Sequence, residues 1–227
     1  MKILSVIPVK DLDQTKTRLG SILDLRKRQV LTLEILYRTL QILRSSGEIK
    51  KILVLTSDPR VLAFAEELGV MGLKEKGRGL NEALKQATHW SIHYHYEALL
   101  IIPSDIPFLQ KDDIETMIWA GLEEERIVVI APNEERTGTN ALLVKPPGIL
   151  KYCFGFDSFS RHQNQTFTRH FKVKVYSSTS IGFDLDYPEQ YQFLLEKEHS
   201  SGKGNPHEDK ARLFDSDPWN TLHPATR

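Results

Sequence analysis

The chain has 227 residues, of which 40% are apolar, so it can bury the core of one generous domain or of a domain with a tail. Lys plus Arg and Asp plus Glu each number 30, and the resulting formal net charge of zero argues against nucleic acid or an anionic membrane as a partner. The single cysteine, Cys153, excludes an intrachain disulfide and, with no apolar run long enough for a signal peptide or a bilayer span, predicts a cytoplasmic protein.

The first half of the chain alternates apolar strands with amphipathic helices. Strands are predicted over residues 3–9, 51–56 and 98–102, and helices over 24–44, 58–69, 79–94 and 111–122. The first two strands are nearly all apolar, which is typical of strands covered on both faces. Between the first strand and the first helix lies a polar loop over residues 10–21.

The second half continues the alternation. Strands are predicted over 127–130, 141–144 and 172–176, the last as an edge strand, and helices within 159–170 and over 187–198. This order predicts an α/β fold with a mainly parallel sheet flanked by helices, whose ligand lies beyond the carboxyl ends of the strands. From Ser200 the composition turns to Gly, Pro, Asp, Lys and His without periodicity, so we predict a domain over 1–199 and a disordered tail over 200–227.

Two loops offer candidate contacts to a nucleotide. Lys10, Lys16 and Arg18 follow the first strand, where three cations suit a phosphate cradle, although basic loop residues are also common as solvated charges. This loop lacks the Gly-x-x-x-x-Gly-Lys-Ser/Thr pattern of an ordinary P-loop. Gly79 allows close backbone approach to a ligand, and Asn81 either caps the helix that follows or presents its amide to a base.

Three aspartates are candidate metal ligands. Asp105 directly follows an apolar strand and lies between two prolines, where the alternative is an ordinary turn residue. Asp184 and Asp186 stand at i and i+2, so an extended segment would turn both carboxylates to one face. Such a pair is unfavourable unless a cation lies between the charges, and Mg²⁺ takes oxygen ligands of this kind. The alternative for Asp186 is a cap on the last helix.

Small polar residues in the second half suit an anionic acceptor. Thr139 offers a hydroxyl, Gly155 a backbone N–H, and Ser158 both a hydroxyl and the start of a helix. For His162 the sequence leaves two roles open, a general base and a packed histidine. The Cys and His spacings do not suggest zinc.

In their order along the chain, these segments resemble the guanylyltransferase family that makes the phospholactate or phosphoenolpyruvate intermediate of the deazaflavin coenzyme F-420. The matching stretches are residues 8–10, 16–19, 79–84, 103–107, 138–142, 154–162 and 184–186. The resemblance implies a MobA-like nucleotidyltransferase fold related to the Rossmann type. It also implies transfer of GMP from GTP to a small phosphorylated carboxylic acid, with release of pyrophosphate.

The resemblance further implies a role for each candidate. The Mg²⁺ ligands would be Asp105, Asp184 and Asp186, and the acceptor would be bound by Thr139, Gly155 and Ser158. The GTP side would hold Lys10, Lys16, Arg18, Gly79 and Asn81, with Lys16, Arg18 and Asp105 as the catalytic groups. Phosphoenolpyruvate is the favoured acceptor, with 2-phospho-L-lactate and 3-phospho-D-glycerate left open. A homodimer is compatible with the sequence, which does not fix the oligomeric state.

Two other functions compete with this one. A nucleotidyltransferase of the same fold that acts on a sugar phosphate or a molybdopterin usually has a Gly-rich loop after its first strand, whereas residues 8–10 of this chain are Pro-Val-Lys. A non-catalytic nucleotide-binding domain would be expected to lose its metal carboxylates, yet all three aspartates are present.

Overall fold

The computed structural model describes residues 1–77 and 79–200. Its strands are β1 (Ile3–Pro8), β2 (Ile49–Thr56), β3 (Met71–Lys74), β4 (Ala98–Ile101), β5 (Ile127–Pro132), β6 (Thr139–Lys145) and β7 (Lys172–Val175). Its helices are α1 (Leu25–Ser45), α2 (Pro59–Glu67), α3 (Leu80–His93), α4 (Lys111–Leu122), α5 (Ser158–Gln163), α6 (Thr166–Arg169), α7 (Thr179–Gly182) and α8 (Pro188–Ser200). Apart from Ser200, which ends α8, the predicted tail lies outside the described residues.

The seven strands form one sheet in the order β3-β2-β1-β4-β6-β5-β7. The pairs β1–β2, β1–β4, β2–β3 and β5–β7 are parallel, whereas β6 runs antiparallel to its neighbours β4 and β5. The predicted α/β fold with a mainly parallel sheet is therefore confirmed. Because β6 runs antiparallel to β4 and β5, its first residue, Thr139, lies beside the carboxyl ends of those two strands.

Helices cover the two faces of this sheet. Along β1, Ile3 and Ile7 pack with leucines of α1 in one core cluster, while Leu4 and Val6 pack with α3 in a second cluster. Successive side chains of a strand point to opposite faces, so β1 is buried on both sides, as its apolar sequence predicts. The leucines of α1 recur at helical spacing and are almost fully buried: Leu33, Leu36, Leu40 and Leu43.

The two edges of the sheet are formed by short strands. The edge position predicted for residues 172–176 is confirmed, since β7 ends the sheet and alternates exposed with half-buried residues. The opposite edge is β3, which the sequence analysis does not predict. None of the helices over the described residues combines the length and the apolar character that a bilayer span requires.

Candidate active site

The candidate residues gather at the carboxyl-terminal end of the sheet, where its parallel strands terminate. The carboxyl ends of β1 and β4 lead into Lys10 and Asp105, and β7 precedes the segment that carries Asp184. Thr139 lies at the same end of the sheet because β6 is antiparallel to its neighbours and begins where they end. Cations, carboxylates and hydroxyls that are far apart in sequence therefore lie together at the carboxyl-terminal end of the sheet, where α/β sheets bind their ligands.

The loop after β1 carries two cations to the segment around Asp186. Lys16, which has a left-handed backbone conformation (φ 45°), donates from Nζ to the Leu185 carbonyl oxygen at 3.0 Å. Arg18 Nη1 lies 2.6 Å from Asp186 Oδ2, and the guanidinium lies over the Tyr187 ring at 4.8 Å. Because the Arg18 side chain is 57% exposed, an anionic ligand can reach its guanidinium.

A buried aspartate at the end of β2 braces this cationic loop. Asp58 Oδ2 accepts from the Leu12 amide at 2.8 Å and from Arg60 Nη2 at 2.7 Å. Arg60 Nη1 also reaches Asp13 Oδ1, at 2.9 Å. Burial opposes the ionisation of Asp58, but hydrogen bonds from Arg60 and the Leu12 amide outweigh it and lower the pKa of that carboxyl. The loop is therefore held in place before any ligand binds.

Replacing Asp58 with Asn is expected to reduce the free energy of unfolding by about 3 kcal/mol at pH 7, because Arg60 and the Leu12 amide lose a buried ionised partner. Urea unfolding checks this value, with the exposed Asp112→Asn as control. Since the pKa of Asp58 is lowered on folding, its stabilisation is present above the ordinary value of 3.8 and is lost as pH falls through the folded value. A difference from wild type that did not shrink as the pH was lowered below 3.8 would contradict this origin.

The three predicted metal ligands lie near one another. The Leu185 amide donates to the Asp105 carbonyl oxygen at 2.9 Å, which ties the segment after β4 to the pair Asp184 and Asp186. Burial raises the pKa of Asp184 to about 6, and the neighbouring charges of Asp105 and Asp186 add to the rise. Burial likewise raises the pKa of Asp105, against the opposing effect of Lys16. The three carboxylates therefore interact electrostatically with one another and with the ammonium group of Lys16.

The contacts bear on two alternatives from the sequence, a helix cap at Asp186 and a solvated surface charge at Lys16. Gln190 Oε1, rather than the Asp186 carboxylate, accepts the amides of Asp186 and Tyr187 at the start of α8, at 2.7 and 2.8 Å. The Asp186 carboxylate itself faces Arg18, which favours a role in the site over the capping role. Burial lowers the pKa of Lys16, while the attraction of Asp105, Asp186 and Asp184 opposes that shift. Lys16 is thus more than a solvated surface charge.

The donor set fits a metal ion that is shared with a phosphate ligand. Among residues 1–77 and 79–200, no three His, Cys, Asp or Glu side chains are grouped closely enough to hold a metal by themselves. Mg²⁺, however, usually takes only one or two carboxylates and completes its shell with waters and substrate phosphates. Oxygen-only donors on two tethered segments meet that requirement.

The predicted acceptor residues form a second cluster beside β6. Ser158 Oγ donates to Thr139 Oγ1 at 3.2 Å, and Thr139 Oγ1 lies 3.0 Å from His162 Nδ1. The other ring nitrogen, His162 Nε2, accepts from the Cys153 amide at 2.9 Å. Burial and the nearby Arg161 lower the pKa of His162 to about 4. Both ring nitrogens are bonded to protein groups, which favours the packed histidine over the general base.

The segment before α5 is connected to α3 by hydrogen bonds between the Phe154 backbone and the Asn81 side chain. Asn81 Nδ2 donates to the Phe154 carbonyl oxygen at 3.1 Å, and the Phe154 amide donates to Asn81 Oδ1 at 2.8 Å. The helix cap is Gly79, with φ 90°, so the capping role for Asn81 is wrong. Its amide keeps one hydrogen and one lone pair for a base, and that contact stays a prediction. Gly155, with φ 112°, adopts a backbone conformation that suits glycine.

Two buried polar residues that the sequence analysis does not identify hold the segment before Asp184. Asn140 Nδ2 donates to the carbonyl oxygens of Ile181 and Gly182, at 2.9 and 3.2 Å. Asp113 accepts from three hydroxyls that follow β7, those of Tyr176, Ser178 and Ser180. In the sequence Asn140 is recognisable only as a polar residue next to Thr139, because its partners lie 41 and 42 residues away.

The fold of this chain is shared by solved structures that include a nucleotidyl transferase. A solved structure described as a putative nucleotide-diphospho-sugar transferase from Desulfovibrio desulfuricans G20 matches the chain with a TM-score of 0.75. The match covers 95% of this chain and 96% of that one, at 17% sequence identity. Identity at this level shows a common fold and carries no information on the substrate.

The particular family follows from the sequence. The family model described as "Guanylyl transferase CofC like" matches residues 1–205, and the chain belongs to this family. The resemblance drawn from the ordered motifs is therefore confirmed, and the enzyme class is guanylyltransferase. This result favours it over the sugar-phosphate and molybdopterin alternatives.

Relatives within the family carry three acceptor names. A phosphoenolpyruvate guanylyltransferase of Rubrobacter xylanophilus is 39% identical over 83% of this chain and 91% of its own length. A 2-phospho-L-lactate guanylyltransferase of Methanocaldococcus vulcanius is 32% identical over 81% of this chain and 80% of its own. A 3-phospho-D-glycerate guanylyltransferase of Colwellia psychrerythraea is 31% identical over 83% of this chain and 89% of its own.

Proposed function

We propose that this chain transfers GMP from GTP to phosphoenolpyruvate, with release of pyrophosphate, as a step in coenzyme F-420 biosynthesis. The observation that carries the proposal is that three groups lie together at the carboxyl-terminal end of the sheet. They are the loop with Lys16 and Arg18, the carboxylates of Asp105, Asp184 and Asp186, and the hydroxyls of Thr139 and Ser158. The choice of phosphoenolpyruvate rests on the name of the 39% identical relative. The cytoplasmic location and a homodimeric state are further parts of this proposal.

The reaction is a displacement at phosphorus. An oxygen of the acceptor phosphate forms a bond to the α-phosphorus of GTP, while the bond from that phosphorus to the bridging oxygen of the β-phosphate breaks and releases pyrophosphate. An acceptor phosphate is already ionised at neutral pH, so the step needs no general base. Both reactants are polyanions, and their mutual repulsion is the main obstacle that the enzyme must reduce.

The chain's residues divide this work among three groups. Lys16 and Arg18, with Lys10 beside them, would neutralise the phosphates of GTP, and Gly79 and Asn81 would lie along the nucleoside. Asp105, Asp184 and Asp186 would hold Mg²⁺, which when bound supplies charge neutralisation at the transferred phosphoryl group. Thr139, Gly155 and Ser158 would hold the acid so that its phosphate faces the α-phosphorus.

Pyrophosphate release tests this function directly. GTP and Mg²⁺ are offered with phosphoenolpyruvate, 2-phospho-L-lactate or 3-phospho-D-glycerate in turn, with ATP and a hexose 1-phosphate as controls. We expect release with GTP and phosphoenolpyruvate, its loss in excess EDTA and its recovery when Mg²⁺ is restored. Release with another of the three acids would replace the acceptor, and turnover of the hexose phosphate alone would overturn the function.

A further inference from the structure

The hydrogen bonds around His162 have a fixed direction. The Cys153 backbone amide can only donate, so His162 Nε2, 2.9 Å away, must accept through its lone pair. His162 is fully buried, and burial together with Arg161 lowers its pKa to about 4, so the imidazole is neutral at physiological pH. A neutral imidazole has one N–H group. That group therefore lies on Nδ1, which faces Thr139.

This tautomer determines what the Thr139 hydroxyl can do. Thr139 Oγ1 accepts from His162 Nδ1 at 3.0 Å and from Ser158 Oγ at 3.2 Å. A hydroxyl oxygen has two lone pairs and one hydrogen, so both lone pairs are used and the hydrogen is left to donate elsewhere. With the other tautomer, Thr139 would donate to the bare Nδ1 and would turn a lone pair toward any anion at the site.

We propose that His162 is a positioning residue whose fixed tautomer makes the Thr139 hydroxyl an obligatory hydrogen-bond donor to an anionic oxygen of the acceptor. The position of the acceptor beside Thr139 rests on the proposed function. The donor direction rests only on the contacts of Cys153, His162, Thr139 and Ser158. The site thereby selects an ionised phosphate or carboxylate oxygen, which accepts, over a neutral group that must itself donate.

Two substitutions separate this role from simple anchoring of the Cys153 loop. The side-chain amide nitrogen of Asn lies close to the position of Nδ1 in His, so His162→Asn keeps a donor to Thr139 and loses the acceptor for Cys153. The longer Gln places its oxygen near the position of Nε2, so His162→Gln keeps the contact to Cys153 and loses the donor to Thr139. The exposed His89→Gln on α3 is the matched control.

The kinetic expectation follows from which contact matters. His162→Gln should raise the KM for the acceptor by about 10- to 100-fold, the effect of losing one oriented hydrogen bond to a charged group, and leave the KM for GTP within about twofold. His162→Asn should stay within about threefold of wild type for both substrates. The reverse order, with Asn impaired and Gln near wild type, would show that His162 only anchors the loop and would overturn the proposal.

A spectroscopic measurement tests the tautomer without turnover. In the full chain labelled with ¹⁵N-histidine, the imidazole signals of His162, assigned by their loss in His162→Gln, should show Nδ1 protonated and Nε2 bare from pH 6 to 8. An Nε2-protonated ring, or one that titrates within this range, would overturn the proposal. If the wild-type enzyme used none of the three acids, the proposed function would fail, while this spectrum would still decide the donor direction.

Discussion

Replacing Asp105 with Asn is expected to lower kcat for GMP transfer by roughly a thousandfold. Asp105 follows β4, its main chain is tied to Leu185 at 2.9 Å, and its carboxylate interacts with Lys16 and Asp186. In the proposed function, its carboxylate would hold a metal ion between this segment and the nucleotide phosphates. Asparagine keeps the size of the side chain but replaces one carboxylate oxygen with an NH₂ group and removes the negative charge, so initial rates at saturating GTP and acceptor measure the role of the carboxylate.

The same substitution should leave the fold at least as stable as wild type. Burial and Asp186 raise the pKa of Asp105 on folding, so the ionised carboxylate is disfavoured in the native state and its contribution to stability declines as pH rises. Thermal unfolding at pH 7 should show an unchanged or higher Tm. The control is Glu124→Gln, an exposed carboxylate before β5 at the opposite edge of the sheet. Activity within tenfold of wild type would remove Asp105 from the metal site.

The sequence predicts the central elements of the fold well because their patterns are strong. The helix predicted over 24–44 is observed as α1 (Leu25–Ser45), and the apolar run after Lys2 is β1. The strand β3 is missed because its four residues include Gly72 and no β-branched residue, whereas the equally short β7 contains Val173 and Val175. The four-residue helix α7 is missed because one turn is too short to show a 3.6-residue period.

Strand direction is the part of the fold that the local pattern does not contain. Residues 141–144 form an apolar run, which predicts a strand but not whether it is parallel or antiparallel. The structure shows that the strand begins at Thr139 and runs antiparallel to β4 and β5. This direction places Thr139 at the carboxyl-terminal end of the sheet. The assignment of Thr139 to the acceptor comes from the family resemblance and stays a prediction. The topology explains only how Thr139 comes to lie beside the ends of β4 and β5.

The site divides in a similar way between local and distant information. Asp105 is recognisable because it follows a predicted strand, and Asp184 and Asp186 are recognisable because two carboxylates stand at i and i+2. The contacts that hold the site together join residues far apart in sequence: Asn81 and Phe154 are separated by 73 positions, and Leu12 and Asp58 by 46. Hydrophobic periodicity carries no information on such pairs, so the brace by Asp58 and the roles of Asn140 and His162 emerge only from the folded chain.

Replacing Lys16 with Met is expected to lower kcat/KM for GTP by roughly 100- to 1,000-fold, with the KM for the acceptor nearly unchanged. Its ammonium group interacts electrostatically with Asp105, Asp186 and Asp184, and its Nζ donates to the Leu185 carbonyl oxygen at 3.0 Å. Methionine keeps the apolar stem and removes the charge that would oppose the repulsion between GTP and these carboxylates. Steady-state kinetics with each substrate varied in turn checks the split.

Lys16→Arg should restore little of this loss, since a planar guanidinium is larger than an ammonium group and its donors have a fixed geometry. The exposed Lys51→Met, near the start of β2 at the far edge of the sheet, is the matched control and should keep wild-type kinetics. In Lys16→Met the three carboxylates are left without their lysine, so the metal-free variant should bind Mg²⁺ more tightly than wild type in a calorimetric titration. Weaker Mg²⁺ binding together with unchanged kcat/KM would show that Lys16 supports the local structure and does not act on the nucleotide.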